Sequence, residues 1–149
     1  VSEPLPQRVV VVRAGGGLCA LPVEAVVETR RPAAVRPLAG APPWVSGVGL
    51  VRGAPAPVVD LAAFLGGAAE AAPARWVILR CGARVAALAV RQVAGVRALP
   101  GAAGELPLLS RAAEGALASL RALDRELLVV LEAGRLVPDE VLRAAGEAP

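Results

Sequence analysis

Two stretches of the chain nearly repeat each other. The first is Val9-Val-Val-Val-Arg-Ala-Gly-Gly-Gly-Leu-Cys-Ala-Leu-Pro-Val-Glu-Ala-Val-Val27, and the second is Trp76-Val-Ile-Leu-Arg-Cys-Gly-Ala-Arg-Val-Ala-Ala-Leu-Ala-Val-Arg-Gln-Val-Ala94. At an offset of about 67 residues, Val10 matches Val77, Arg13 matches Arg80, Gly15 matches Gly82, Val23 matches Val90 and Val26 matches Val93. Val and Ala are common enough here to match by chance. The Arg and Gly beside the same turn in both copies favour a true duplication. Each copy reads as a β-hairpin, in which an apolar run meets a Gly-containing turn and a second apolar run follows. The first pair of strands is predicted at about 8–13 and 18–21, turning at Gly15-Gly16-Gly17 and ending at Pro22, which cannot donate in a ladder. The second pair is predicted at about 75–81 and 84–90, turning at Gly82-Ala83.

Working outward, a strand is predicted at about 25–31, up to Pro32. Pro42-Pro43 marks a loop, and Val45 to Val51 reads as a strand with a turn beginning at Gly53. Ala56 to Asp60 is a further strand, and Asp60 suits the cap of a short helix, Leu61 to Leu65, ended by Gly66-Gly67. The Ala, Gly and Pro-rich run at 66–74 reads as a linker. Beyond the second hairpin come a strand at 92–99, a loop at 100–107, and strands at 116–122 and 126–132 turning at Asp124-Arg125. The tail from Asp139 to Ala145 has Val141, Leu142 and Ala145 on one helical face. Many short strands with frequent turns indicate an all-β fold of two small five-stranded barrels, about 8–66 and about 75–137, with the C-terminal helix and tail at 138–149 and some elements shared. Each barrel is too small for a generous core, so the two should pack together and share apolar residues.

Composition narrows the chemistry. The chain has 149 residues, 56% of them hydrophobic, which excludes disorder. Lys, His, Tyr, Met and Asn are absent, and all sixteen basic residues are Arg. That pattern reads as coding bias in a GC-rich, bacterial genome. The formal charge is +3, and apart from Arg30-Arg31 the arginines are scattered, which suits a solvated surface better than a nucleic-acid patch. Without His or Lys, neither a Ser-His-Asp relay nor a Ser-Lys pair can be built. Two cysteines, Cys19 and Cys81, cannot make a four-ligand zinc site; in apolar strands they read as small hydrophobes in a reducing cytosol. Gly15-Gly16-Gly17 lacks the Lys and Ser/Thr of a phosphate loop. Asp60, Asp124 and Asp139 suit a cap, a turn and a first helical turn. The expectation is therefore no enzyme, no cofactor and no metal. No apolar run is long enough to span a membrane, and Val1 to Gln7 does not read as a signal peptide. A start at Val1 suggests trimming, a fragment or a misplaced start.

The run Gly47-Val48-Gly49-Leu50-Val51-Arg52-Gly53, followed by Ala54-Pro55-Ala56-Pro57-Val58-Val59-Asp60-Leu61, resembles the CheW family, whose most recognisable stretch reads G-V-x-N-L-R-G, a spacer, then P-(V/I)-V-D-L. Upstream, Cys19 to Glu28 and Pro42 to Val45 extend the resemblance, and Leu127 to Leu131 is similar to the closing strand. The resemblance implies two interlocked five-stranded SH3-like barrels. It also implies a non-catalytic, cytoplasmic adaptor between chemoreceptor tips and a CheA-type histidine kinase, at membrane-associated arrays. By match of position, the receptor-facing groove would use Val26, Glu28, Gly47 and Arg52, with Glu28 and Arg52 paired across neighbouring strands. Kinase contact would involve an exposed apolar surface of the strands near 8–13 and 18–21, with no individual residues assigned. Leu50 and Val51 depart from the family's Asn and Leu, and Arg91-Gln92 replaces a frequent acidic pair. Three alternatives stay open: a regulatory segment of a larger histidine kinase, an adaptor of a non-chemotaxis array, and a small enzyme or ligand-binding barrel, which a deep polar pocket would reveal.

Overall fold

The computed structural model describes residues 7–99, 117–123, 126–132 and 136–147. The ten strands are β1 (Gln7–Ala14), β2 (Gly17–Pro22), β3 (Val26–Arg30), β4 (Val45–Val51), β5 (Ala54–Asp60), β6 (Arg75–Cys81), β7 (Arg84–Val90), β8 (Gln92–Leu99), β9 (Leu117–Leu123) and β10 (Glu126–Leu131). Two helices, α1 (Leu61–Phe64) and α2 (Asp139–Gly146), complete them. The expected loop at 100–107 and the turn residues Asp124-Arg125 lie outside the described residues.

The strands form two five-stranded sheets, ordered β8-β1-β2-β10-β9 and β3-β6-β7-β5-β4. The second is drawn from the unbroken run between Val26 and Val90, and the first from the two flanking parts of the chain. The barrel limits expected at 8–66 and 75–137 therefore do not coincide with the sheets. The β1–β2 hairpin leaves both of its outer edges unpaired. Those edges are filled by β8, antiparallel to β1, and by β10, parallel to β2.

The duplication reaches well beyond the hairpins. In the two hairpins Ala14 faces Gly17 and Cys81 faces Arg84. In β3 the ladder to β6 skips Val27 between Val26 and Glu28; in β8 the ladder to β1 skips Ala94 between Val93 and Gly95. In β4 the ladder to β5 skips Ser46, and in β9 the ladder to β10 skips Ala118. Bulges set the bend of a strand, so matching bulges give matching curvature.

The pleat explains the apolar runs. Val9 and Val11 pack with Leu18, Ala20, Leu99, Leu128 and Val130 inside their own sheet. Val10 and Val12 face the other way, into a core shared with Val59, Val77, Leu79 and Leu88 of the second sheet and Phe64 of α1. Trp76, Ile78, Ala87 and Ala89 fill that second sheet's own interior. Strands buried on both faces read as continuous apolar sequence and not as alternation.

Local chemistry sets the boundaries. Ala54 and Pro55 extend β5 two residues earlier than expected, so that the strand holds both Pro55 and Pro57. They face Leu50 and Val48, and the N–H and C=O of Val48 point away from β5 to Arg36, so no ladder donor is missing at either proline. Asp60 Oδ1 accepts from Ala63 N at 3.0 Å and caps α1, as expected. Trp44 meets Phe64 edge to face at 5.7 Å. Helix α2 buries Val141, Leu142 and Ala145, the face expected, and Arg84 Nη1 donates to the Leu142 carbonyl at 2.9 Å.

Candidate interaction site

Glu28 and Arg52 meet as the sequence suggested, but by a different route. Arg52 Nε and Nη2 donate to Glu28 Oε2 at 3.0 and 2.5 Å. Their strands, β3 and β4, are not neighbours: they are the two ends of the second sheet. Sheet twist coils the ends toward each other. The chain beyond β3 completes the approach, with Arg36 N donating to Val48 O at 2.8 Å and Val48 N to Arg36 O at 2.7 Å.

Arg52 is held there by its backbone. It and Gly53 form a two-residue turn between β4 and β5, with φ of 52° and 81°. Both values are positive, as the turn that matches strand twist requires. Arg52 is a non-glycine residue in the left-handed region, where such side chains are uncommon. The turn projects it outward, and its side chain stays 66% exposed while Glu28 is 28% exposed. A second guanidinium, Arg30, lies 3.8 Å from Glu28 Oε1. Glu28 thus holds Arg52 in place, and at least three of its five N–H donors have no acceptor among the described residues.

The other two expected residues do different work. Gly47 is buried, with φ of 147°, and a β-carbon there would lie 2.0 Å from the Arg36 carbonyl oxygen. It is the gap through which the 35–36 segment reaches β4. Val26 is half buried and packs against the core between the sheets. Leu50, passed over by sequence reasoning except as a departure, stands 59% exposed on β4 two residues before Arg52. Its exposure was legible from strand alternation: Val51 beside it is buried.

The expected apolar surface on β1 and β2 is absent. Val9 to Val12 and Leu18 to Leu21 are all at most 5% exposed, because each strand is flanked by two others and covered on both faces. An open cleft of about 790 Å³ lies between the sheets. Gly15, Gly16, Gly17, Ala62, Leu65 and Ala69 line it, and its charged groups are already engaged. Glu70 Oε2 accepts from Gly15 N at 3.1 Å and Oε1 lies 3.8 Å from Arg91 Nε. The sign change at Arg91 is thus answered within the fold by Glu70. Burial raises the Cys19 thiol to about 12 and the Cys81 thiol to about 11, so both stay protonated at neutral pH.

Two back-to-back β-sheets thus carry an ion pair at the margin of the second sheet and engaged charges in the cleft between them. The CheW-like domain profile matches residues 8–141, and the chain belongs to that family of scaffolding, non-enzymatic signalling domains. Among solved structures, the scaffolding protein TtCheW from Thermoanaerobacter tengcongensis superposes with a TM-score of 0.73 at 18% identity, over 85% of this chain and 89% of that one. That likeness supports the fold of two SH3-like subdomains. No curated protein matches the sequence. Among the described residues, no helix is long and apolar enough to cross a membrane.

Proposed function

We propose that this chain couples chemoreceptor cytoplasmic tips to a CheA-type histidine kinase, and that the Glu28–Arg52 edge of the second sheet faces the receptor. The single observation that carries the reading is the Arg52 guanidinium: exposed, oriented by Glu28, and set on a turn that holds it outside the sheet. Val26 and Gly47 support this edge from below, Val26 by packing on the inter-sheet core and Gly47 by admitting the 35–36 segment. A receptor helix laid along β4 would meet Leu50 and Arg52 together, an apolar and a polar contact of the kind helix-in-groove recognition uses. The protein would act in the cytoplasm, at membrane-associated receptor arrays. Family membership supports the scaffolding role.

The test is a pull-down with two baits, a chemoreceptor tip fragment and the regulatory domain of a CheA-type kinase. Saturable binding to both, at about micromolar strength, is expected for weak signalling contacts. Absence of binding to either bait overturns the reading.

A further inference from the structure

The duplication gives the two hairpin turns matching neighbourhoods, and the chain fills them differently. The turn of the second hairpin, Cys81 to Arg84, lies against α2. The matching turn of the first hairpin, Ala14 to Gly17, lies beside the 67–71 segment that follows α1. The correspondence extends to the floor beneath. There β5 runs parallel to β7 with Val58 facing Ala87, and β10 runs parallel to β2 with Val130 facing Ala20. Ala20 and Ala87 are themselves a matched pair of the duplication. Helix α2 closes its place with the buried side chains of Val141, Leu142 and Ala145 and with the Arg84 bond to the Leu142 carbonyl. The segment after α1 brings no buried apolar side chain: from Gly66 to Ala72 every residue except Glu70 is exposed.

Glu70 alone ties down the middle of this segment. The segment is anchored at one end by Gly67 N, which donates to the Ala62 carbonyl, and at the other by Ala74 N, which donates to the Val90 carbonyl. Between them, the hydrogen bonds among the described residues are those of Glu70. Its N–H donates to Asp60 Oδ2 at 2.9 Å, its Oε2 accepts from Gly15 N at 3.1 Å, and its Oε1 stands 3.8 Å from Arg91 Nε. The Glu70 side chain is only 9% exposed. Taking a carboxylate that far out of water costs most of what one N–H and one distant guanidinium return, so the closed state is held weakly. Local stability follows buried apolar contact, and the 66–72 run has almost none. We propose that residues 66–74 are a clasp that opens as a unit while both sheets and α2 stay folded, with Glu70 as its catch and Gly66-Gly67 as its hinge. Gly66 has φ of 96°, and glycine absorbs the backbone rotation that such a motion needs. Opening frees the first hairpin turn from α1 and bares the floor of the cleft, Leu18 and Cys19 of β2 and Val129 of β10. Helix α2, held by apolar burial, keeps Cys81 covered at the matching place. The clasp goes beyond the proposed function and does not depend on which partners the chain binds.

The two cysteines read the two places separately, since Cys19 lines the cleft beside the clasp and Cys81 the place beneath α2. The full chain is made with one thiol at a time, as Cys81→Ala or Cys19→Ala, and labelled with dithiobis-nitrobenzoate at about pH 8. Glu70→Ala removes a charged hydrogen bond and is expected to speed labelling of Cys19 about tenfold while leaving labelling of Cys81 unchanged. Glu70→Gln, which keeps an acceptor for Gly15 N but no charge toward Arg91, is expected to fall between. Unchanged labelling of Cys19 overturns the proposal. So does an equal rise at both thiols, which marks loosening of the whole fold. Amide exchange of the unaltered protein tests the clasp without any substitution. The N–H groups of Gly15 and Glu70 are expected to share one protection factor, at least about a hundredfold below that of the amides of β1 and β7. Protection equal to those strands, or unequal protection at Gly15 and Glu70, overturns it.

Discussion

Arg52 reaches Glu28 from a backbone with φ of 52°, a conformation Gly adopts far more readily. An exposed pair of this kind contributes about 1 kcal/mol or less to stability. Arg52→Ala is therefore expected to lower receptor-tip binding about tenfold while shifting Tm by no more than about 4 °C, read by calorimetry beside the pull-down. A large loss of Tm would make Arg52 structural. Gly47→Ala should behave in the opposite way. Its β-carbon would meet a backbone oxygen at 2.0 Å, and φ of 147° disfavours any side chain. A loss on the order of 3 kcal/mol is expected in urea denaturation, with binding lost only in proportion to unfolding. The thiols give a pH signature. Folding raises Cys19 from 9.0 to about 12, so the folded state holds its proton where the unfolded chain releases it. This contribution is complete below about pH 9 and fades as pH climbs toward 12, so Tm should fall across that interval. Cys19→Ser, which keeps a neutral polar group there, should flatten the alkaline fall.

At the scale of elements, Asp60 ties β5 and α1 to the segment that carries Glu70. It closes β5, caps α1 through Oδ1, and accepts Glu70 N through Oδ2 at 2.9 Å. Glu70 in turn holds the turn of the β1–β2 hairpin. Asp60→Ala should cost about 2 kcal/mol or more, since it removes a cap and strands a second, part-buried donor. Chemical denaturation reads the cost, and Asp60→Asn, which keeps one acceptor oxygen, should recover part of it. Elements were also the most legible scale in the sequence. Hairpin turns announced themselves by Gly, strand ends by Pro, and the buried face of α2 by its spacing, because each signal acts through neighbours in the chain. Pro55 was read as preceding β5 and lies inside it. Whether a Pro fits a strand depends on which side its partner lies, and that is a property of the ladder.

Across the whole molecule, the two sheets share their largest apolar cluster, to which β1, β2, β5, β6 and β7 all contribute. The second sheet runs unbroken from Val26 to Val90, yet one face of it is this shared core. A fragment of residues 26–90 should fail to melt cooperatively by circular dichroism, whereas adding residues 1–25 and 91–149 as a second chain should restore a transition. An independently cooperative fragment would show that each sheet is its own folding unit.

The sequence by itself determined the strands, the duplication, the want of catalytic side chains and the family resemblance, because each is written in neighbouring residues or in composition. The tertiary structure alone decided which hairpin lies beside which strand. It also closed off the apolar runs of β1 and β2, which looked like a contact surface until both faces proved covered, and it brought Arg52 onto Glu28 from the far end of the same sheet. The physical reason is the same for all of these. Burial and electrostatic potential depend on distance through space, and along this chain two sheet ends meet that the order of residues keeps apart.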